Sequence, residues 1–163
     1  MSELAVMIGR ADSYEEEIVA RYGGINGFYD SLQDPADRYG VWLGPTLQRI
    51  TDGLTYAATG RQSEVYLGQE YVLKLHHRYS HMTAQSVYPD PAGPREDFNP
   101  LELAHLLTYE YFTQLGLGAV QRRVACSPAD QRTAAELLVL AGIQPCPNNL
   151  GLDHGRPVII DMF

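Results

Sequence analysis

The chain has 163 residues, 45% apolar, 20% charged and 10% aromatic, a composition that belongs to an ordinary globular domain. Twelve Lys and Arg against twenty Asp and Glu leave a formal charge of −8, which excludes a broad nucleic-acid footprint because phosphate binding needs clustered positive charge. Collagen-like, disordered and disulfide-scaffold classes are excluded, and no stretch of sequence is apolar for long enough to make a membrane span.

In chain order, Ser13 with Glu16 forms a capping-box signature, and Glu15 to Glu17 favour the positive end of a helix predicted to run to Tyr22 and stop at Gly23-Gly24. A second helical piece is predicted over 27–32, a break at Asp34-Pro35, and a short helix from Pro45 through Ile50. The texture then turns to strand. Leu54 to Ala58, Ser63 to Leu67 and Tyr71 to Leu75 are β-rich stretches separated by turn-sized gaps, which predicts an antiparallel meander. Residues 76–99 carry Pro89, Pro91, Gly93 and Pro94 and read as a long loop. Asn99-Pro100 with Glu102 predicts a helix from Asn99 to Leu115, ended by Gly116 and Gly118 and packed on one face of the meander. Ser127-Pro128 opens another helix through Leu140 that ends at Gly142, and residues 149–161 read as a β-hairpin. The expected class is α+β, a small antiparallel sheet with packed helices. One domain is expected, with 1–53 as a helical N-terminal extension and 54–163 as the core.

Three pieces of this core resemble the protein-kinase-like fold. Gly60-Arg61-Gln62-Ser63-Glu64-Val65-Tyr66 is similar to a shortened phosphate-covering loop leading into a second strand. Tyr71 to Leu75 resembles the third strand, whose Lys reaches the nucleotide phosphates, and Asn149 to Asp161 resembles the segment between the metal-binding Asn and Asp. The resemblance spans roughly residues 54–163. It implies that Gly60, Ser63, Lys74 and a helix-borne Glu would bind nucleotide, and that Asn149 and Asp161 would hold magnesium. Glu110 is the first choice for the partner of Lys74, because it shares a predicted helical face with Leu103 and Leu106, and Glu102 is the second.

The departures are as informative. A kinase catalytic loop sets its base Asp five residues before the metal-binding Asn, and that position is Gln144, in a segment Gln144-Pro145-Cys146-Pro147-Asn148 without a carboxylate. Gly60 stands alone where the family has several glycines, Asp161-Met162-Phe163 replaces Asp-Phe-Gly with no activation segment, and the span from Gly116 to Gly142 looks too short for the family's remaining strands and helices. His76, His77 and His81 read as a surface cluster and not a zinc site, Cys126 and Cys146 match no zinc spacing, and Tyr109 to Phe112 read as core and rim. The N-terminal segment lacks the basic start and apolar core of a secretory signal, so a reduced cytoplasmic setting, in the producing or a host cell, is the expectation. Together these imply a degenerate pseudokinase-like effector that binds and inhibits a protein partner of host or other origin, such as phages and pathogens deploy, with no cofactor, nucleic acid or membrane involved. The alternative is a minimal protein kinase or nucleotidyl-transferring enzyme dependent on ATP and Mg²⁺.

Overall fold

A spacing of apolar residues at three- and four-residue steps (Met7, Ala11, Tyr14, Ile18) gives the first helix its buried stripe. In the computed structural model, which describes residues 1–24, 26–27, 44–59, 63–76, 108–142 and 150–160, this helix is α1, Glu3–Tyr22. It starts earlier than its sequence signature suggests. Ser2 is the N-cap, its side chain accepting from the Ala5 amide, while Ser13 lies inside the helix. The far end is as predicted, with Gly23 in the left-handed region at φ 70° closing the last turn onto the Val19 carbonyl. A short helix α2, Gly44–Ile50, follows.

The meander is present as β1 (Thr55–Thr59), β2 (Ser63–Leu67) and β3 (Tyr71–His76). Two further strands, β4 (Tyr109–Phe112) and β5 (Gly118–Arg122), complete an antiparallel five-stranded sheet of order β1-β2-β3-β5-β4. The predicted helix from Asn99 to Leu115 is therefore wrong over Tyr109 to Phe112, and residues 99–107 lie outside the described residues. Between Gly116 and Gly142 the chain forms one strand, β5, and one helix over Pro128–Leu140, fewer elements than the two strands, hinge and two helices of the kinase-like pattern. Non-local pairing overrides the local helix signal: Tyr111 and Phe112 sit opposite Val120 and Ala119 in a hairpin whose turn is closed by Thr113 and Gly118.

The chain divides into two compact units. The first holds α1, α2 and β1–β5. Cross-strand rows define its two sheet faces: Tyr66, Leu73, Val120 and Tyr111 on one, Val65, Lys74, Ala119 and Phe112 on the other. The described helix on the first face is α1, whose stripe forms a core with Leu73, Leu75, Leu117 and Val120. The N-terminal segment is thus not an appendage to the sheet but half of its core. Polar ties reinforce the seat. Glu3 accepts from the Gln69 amide at 2.8 Å in the β2–β3 turn, and Glu15 accepts from the Leu115 and Leu117 amides at 2.9 and 3.4 Å in the β4–β5 turn. The Tyr14 hydroxyl donates to the His76 carbonyl at 2.6 Å, and Arg10 donates to the Ile50 carbonyl of α2.

The second unit holds α3, Pro128–Leu140, and the hairpin of β6 (Leu150–Asp153) and β7 (Arg156–Ile159). Here the sequence reads directly into structure. Ser127 caps α3 with a reciprocal bond to Asp130, and Pro128 occupies the first turn. His154 and Gly155 take φ of 51° and 81° in the hairpin turn, as a two-residue connection between right-twisted strands requires.

The tight seat of α1 against Gly118 generates a prediction. A Cβ on Gly118 would stand 3.1 Å from the Ala11 Cβ and 3.3 Å from its backbone, which a packed helix cannot easily yield. Gly118→Ala should therefore destabilise the first unit by about 1–3 kcal/mol. Gly9→Ala, on the open side of α1 with nothing within 4 Å, should stabilise it by roughly 0.5–1 kcal/mol. Urea melts of the two variants check both signs.

Candidate functional site

The expected nucleotide-binding Lys74 sits mid-way along β3, between Val65 of β2 and Ala119 of β5, on the face opposite α1. It is 5% exposed, unlike an ordinary outward residue of an alternating strand. Its Nζ donates to the Tyr109 hydroxyl at 3.0 Å and lies 5.0 Å from the centre of that ring, so one phenol supplies both a hydrogen-bond acceptor and a cation–π face. The Tyr109 ring is in turn stacked on Phe112 at 4.7 Å. Gln121 and His76, both buried, share this face, so four polar side chains gather among Val65, Val72 and Ala119.

The structure does not bring Glu110 to Lys74. The register of β4 slips by one residue between Tyr109 and Tyr111, a bulge that places Tyr109 opposite Gln121 and leaves Glu110 as the extra residue. Glu110 pairs instead with Arg122 at 3.3 Å, each side chain about one-third exposed, a surface pair of small energetic worth. The helical face assumed for Glu110 does not exist, and with it goes the geometric reason for choosing that residue. Ser63 opens β2, half-buried and opposite His76. Gly60, Glu102, Gln144, Asn149 and Asp161 lie outside the described residues, as do His77, His81 and Cys146. His76 is fully buried in β3 and is no part of a surface cluster, whereas Cys126 is exposed. Among the described residues no three His, Cys, Asp or Glu side chains come together as a metal site, and no helix is long and apolar enough to cross a membrane.

Sequence reasoning found Lys74 but missed Tyr109, Gln121 and His76. The signal that could have found Tyr109 was the run Tyr109-Glu110-Tyr111-Phe112 itself, rich in strand-favouring aromatics and followed by the turn pair Gly116 and Gly118. Two tyrosines elsewhere in the unit are electrostatically perturbed. The Tyr111 hydroxyl donates to Asp12 at 2.6 Å, and that bond, with burial, pushes its pKa from 10.0 up to about 12. Burial, joined by a bond to Glu64, pushes Tyr66 upward as well. Neither residue was singled out for function, and both serve the α1 side of the sheet.

Neither the protein-family models nor the curated proteins give a match to this sequence.

Two predictions follow from this geometry. Removing the phenol that meets Lys74, by Tyr109→Phe, deletes a hydrogen bond to a buried ammonium and should cost about 1–3 kcal/mol in chemical denaturation. For Tyr111, the raised pKa means that its contribution is complete below pH 10 and is lost as pH rises through about 12. Tyr111→Phe should therefore melt below the parent at neutral pH, with the gap closing between pH 10 and 12, as read by circular dichroism melts.

Proposed function

We propose that this chain is a non-catalytic effector with a cut-down kinase-like sheet, which binds a partner protein and inhibits it by contact in the cytoplasm of the producing or a host cell. The observation that carries the reading is Gln144. Counted back from Asn149, it stands where a kinase-like catalytic loop needs its base, and the whole run from Gln144 to Asn149 offers no carboxylate. A neutral amide cannot take up the proton of a substrate hydroxyl. The two prolines of that run, Pro145 and Pro147, remove two backbone donors and hold the residues before them extended, which suits a fixed shape better than proton transfer.

Supporting the kinase-like part of the reading, Lys74 falls on the third strand of the sheet and is buried there, the strand on which kinases carry their phosphate-contacting Lys. The chain from β3 to β4 must also pass β5 to reach the sheet edge, where that fold inserts its Glu-bearing helix. The same buried Lys74 is the specific observation that favours the alternative, a minimal ATP- and Mg²⁺-dependent kinase or nucleotidyl-transferring enzyme, because phosphoryl transfer depends mainly on positioning and metal electrostatics.

A thermal-shift titration with ATP and Mg²⁺ separates the two, since a ligand that binds only the native state raises its melting temperature. The effector reading expects no saturable rise. A rise that Asp161→Asn and Lys74→Met abolish, accompanied by transfer of the γ-phosphate to any protein, would replace it with the enzyme.

A further inference from the structure

We infer that Asp52-Gly53, in the turn that carries α2 into β1, is a self-modifying site at which the chain rearranges to isoaspartate with water as its only co-reactant. The inference concerns the chemistry of the chain itself and stands apart from how the chain acts on a partner. An Asp followed by Gly already holds the two reacting groups of a five-membered ring together, the Asp carboxyl and the next backbone nitrogen. Gly adds no side chain to obstruct them. What keeps such a pair inert in a folded protein is engagement: a carboxylate and an amide that are bonded elsewhere must first be released.

At Asp52-Gly53 neither group is engaged. Both residues are exposed, and neither makes a hydrogen bond or ion pair among the described residues. The turn explains why the amide is left out. The Leu54 amide donates to the Thr51 carbonyl at 3.0 Å, and Gly53 takes the third position of the turn at φ 75°, with no positive φ at Asp52. That is the type II pattern, in which the peptide between Asp52 and Gly53 takes no part in the bond that closes the turn. A Cβ on Gly53 would meet nothing within 4 Å, so the ring has room to close. Other described Asp residues are held. Asp12 lies within α1 and accepts from Tyr111, while Asp130 is tied to Ser127 and the next amide, that of Gln131, donates to the Ser127 carbonyl.

The step balances without oxidant or reductant. The Gly53 nitrogen gives up its proton and adds to Cγ of Asp52, one carboxyl oxygen leaves as water, and a cyclic imide forms. Water then opens the imide at one of its two carbonyls. Opening at Cγ restores Asp52. Opening at the main-chain carbonyl breaks that carbon's bond to nitrogen, so the chain now runs through Cβ and Cγ and the α-carboxylate becomes the side group. The product has the same mass but a main chain longer by one methylene. It lengthens the turn between two held ends, since buried Ile50 has its carbonyl bonded to Arg10 and Leu54 packs on the α1 core.

The test incubates the full chain at neutral pH, folded in buffer and unfolded in guanidinium chloride, and follows its tryptic peptides by liquid chromatography and mass spectrometry. Residues 50–61 form one such peptide, between the cleavage sites at Arg49 and Arg61, and Asp52 is its single Asp or Asn. A second peak of equal mass should grow from it, in the folded chain at a rate within about threefold of the unfolded rate, whereas folding should slow the peptides of Asp12 and Asp130 by about tenfold or more. That peak should accept a methyl group from S-adenosylmethionine when treated with a protein isoaspartyl methyltransferase. Asp52→Glu keeps the carboxyl group but needs a larger ring, and should abolish the peak with an unchanged far-UV spectrum. A second peak that is absent from the folded chain, that folding slows as much as it slows Asp12 and Asp130, or that refuses the methyl group overturns the inference. So does a peak that persists in Asp52→Glu.

Discussion

The packing of Ala11 against Gly118 is the constraint on which the first unit is built. A side chain at either position larger than the one present would lift α1 off β5, and every other tie depends on that distance. Met7 and Ile18, buried to within 1% on the same stripe, contribute roughly 1.5–3 kcal/mol each only if the helix lies close enough to exclude water. The carboxylates of Glu3 and Glu15 have reach enough to meet the turns at opposite ends of the sheet only from that seat. Gly68 in the β2–β3 turn is a softer case, because a Cβ there would meet the flexible ends of the Met7 and Glu3 side chains and not the helix backbone.

The face of the sheet away from α1 is built on a different principle. It gathers Lys74, His76, Tyr109 and Gln121 into a buried setting where each polar atom is costly unless engaged. The bulge in β4 decides which residue serves Lys74. One extra residue turns the Tyr109 phenol toward the ammonium and sends Glu110 out to Arg122. The same phenol meets the Lys twice, through its hydroxyl oxygen and through the face of its ring.

How much of this was legible depends on the range over which each element is decided. Ser127, Pro128 and Asp130 specify the start of α3 within four residues, and His154-Gly155 specifies the hairpin turn within two, so both are plain in the sequence. The meander is legible for the same reason, its strands being joined by short turns. The start of α1 was misplaced because Ser13 and Glu16 fit a capping box that the interior of a helix also tolerates. β4 was hidden because its strand state is settled by pairing with β5 and not by its own propensity. In the site, Lys74 could be read from its strand, but the exchange of Glu110 for Tyr109 could not, since a bulge is a property of two strands and not of one.

The order of the elements along the chain has a consequence for how the molecule forms. α1 leaves the ribosome before the sheet does, but Glu15 meets Leu115 across a hundred positions of sequence and Glu3 meets Gln69 across 66. An isolated helix of 20 residues with this composition is marginal in water, and its apolar stripe has nothing to cover it until β3 and β5 exist. The hairpins of the meander close over short loops and form early, whereas the docking of α1 pays its loop-closure entropy last. Until that moment the growing chain exposes both the stripe of α1 and the bare face of the sheet. The vulnerable species of this protein is therefore a nascent sheet awaiting its own first helix, and α1 acts as its built-in chaperone.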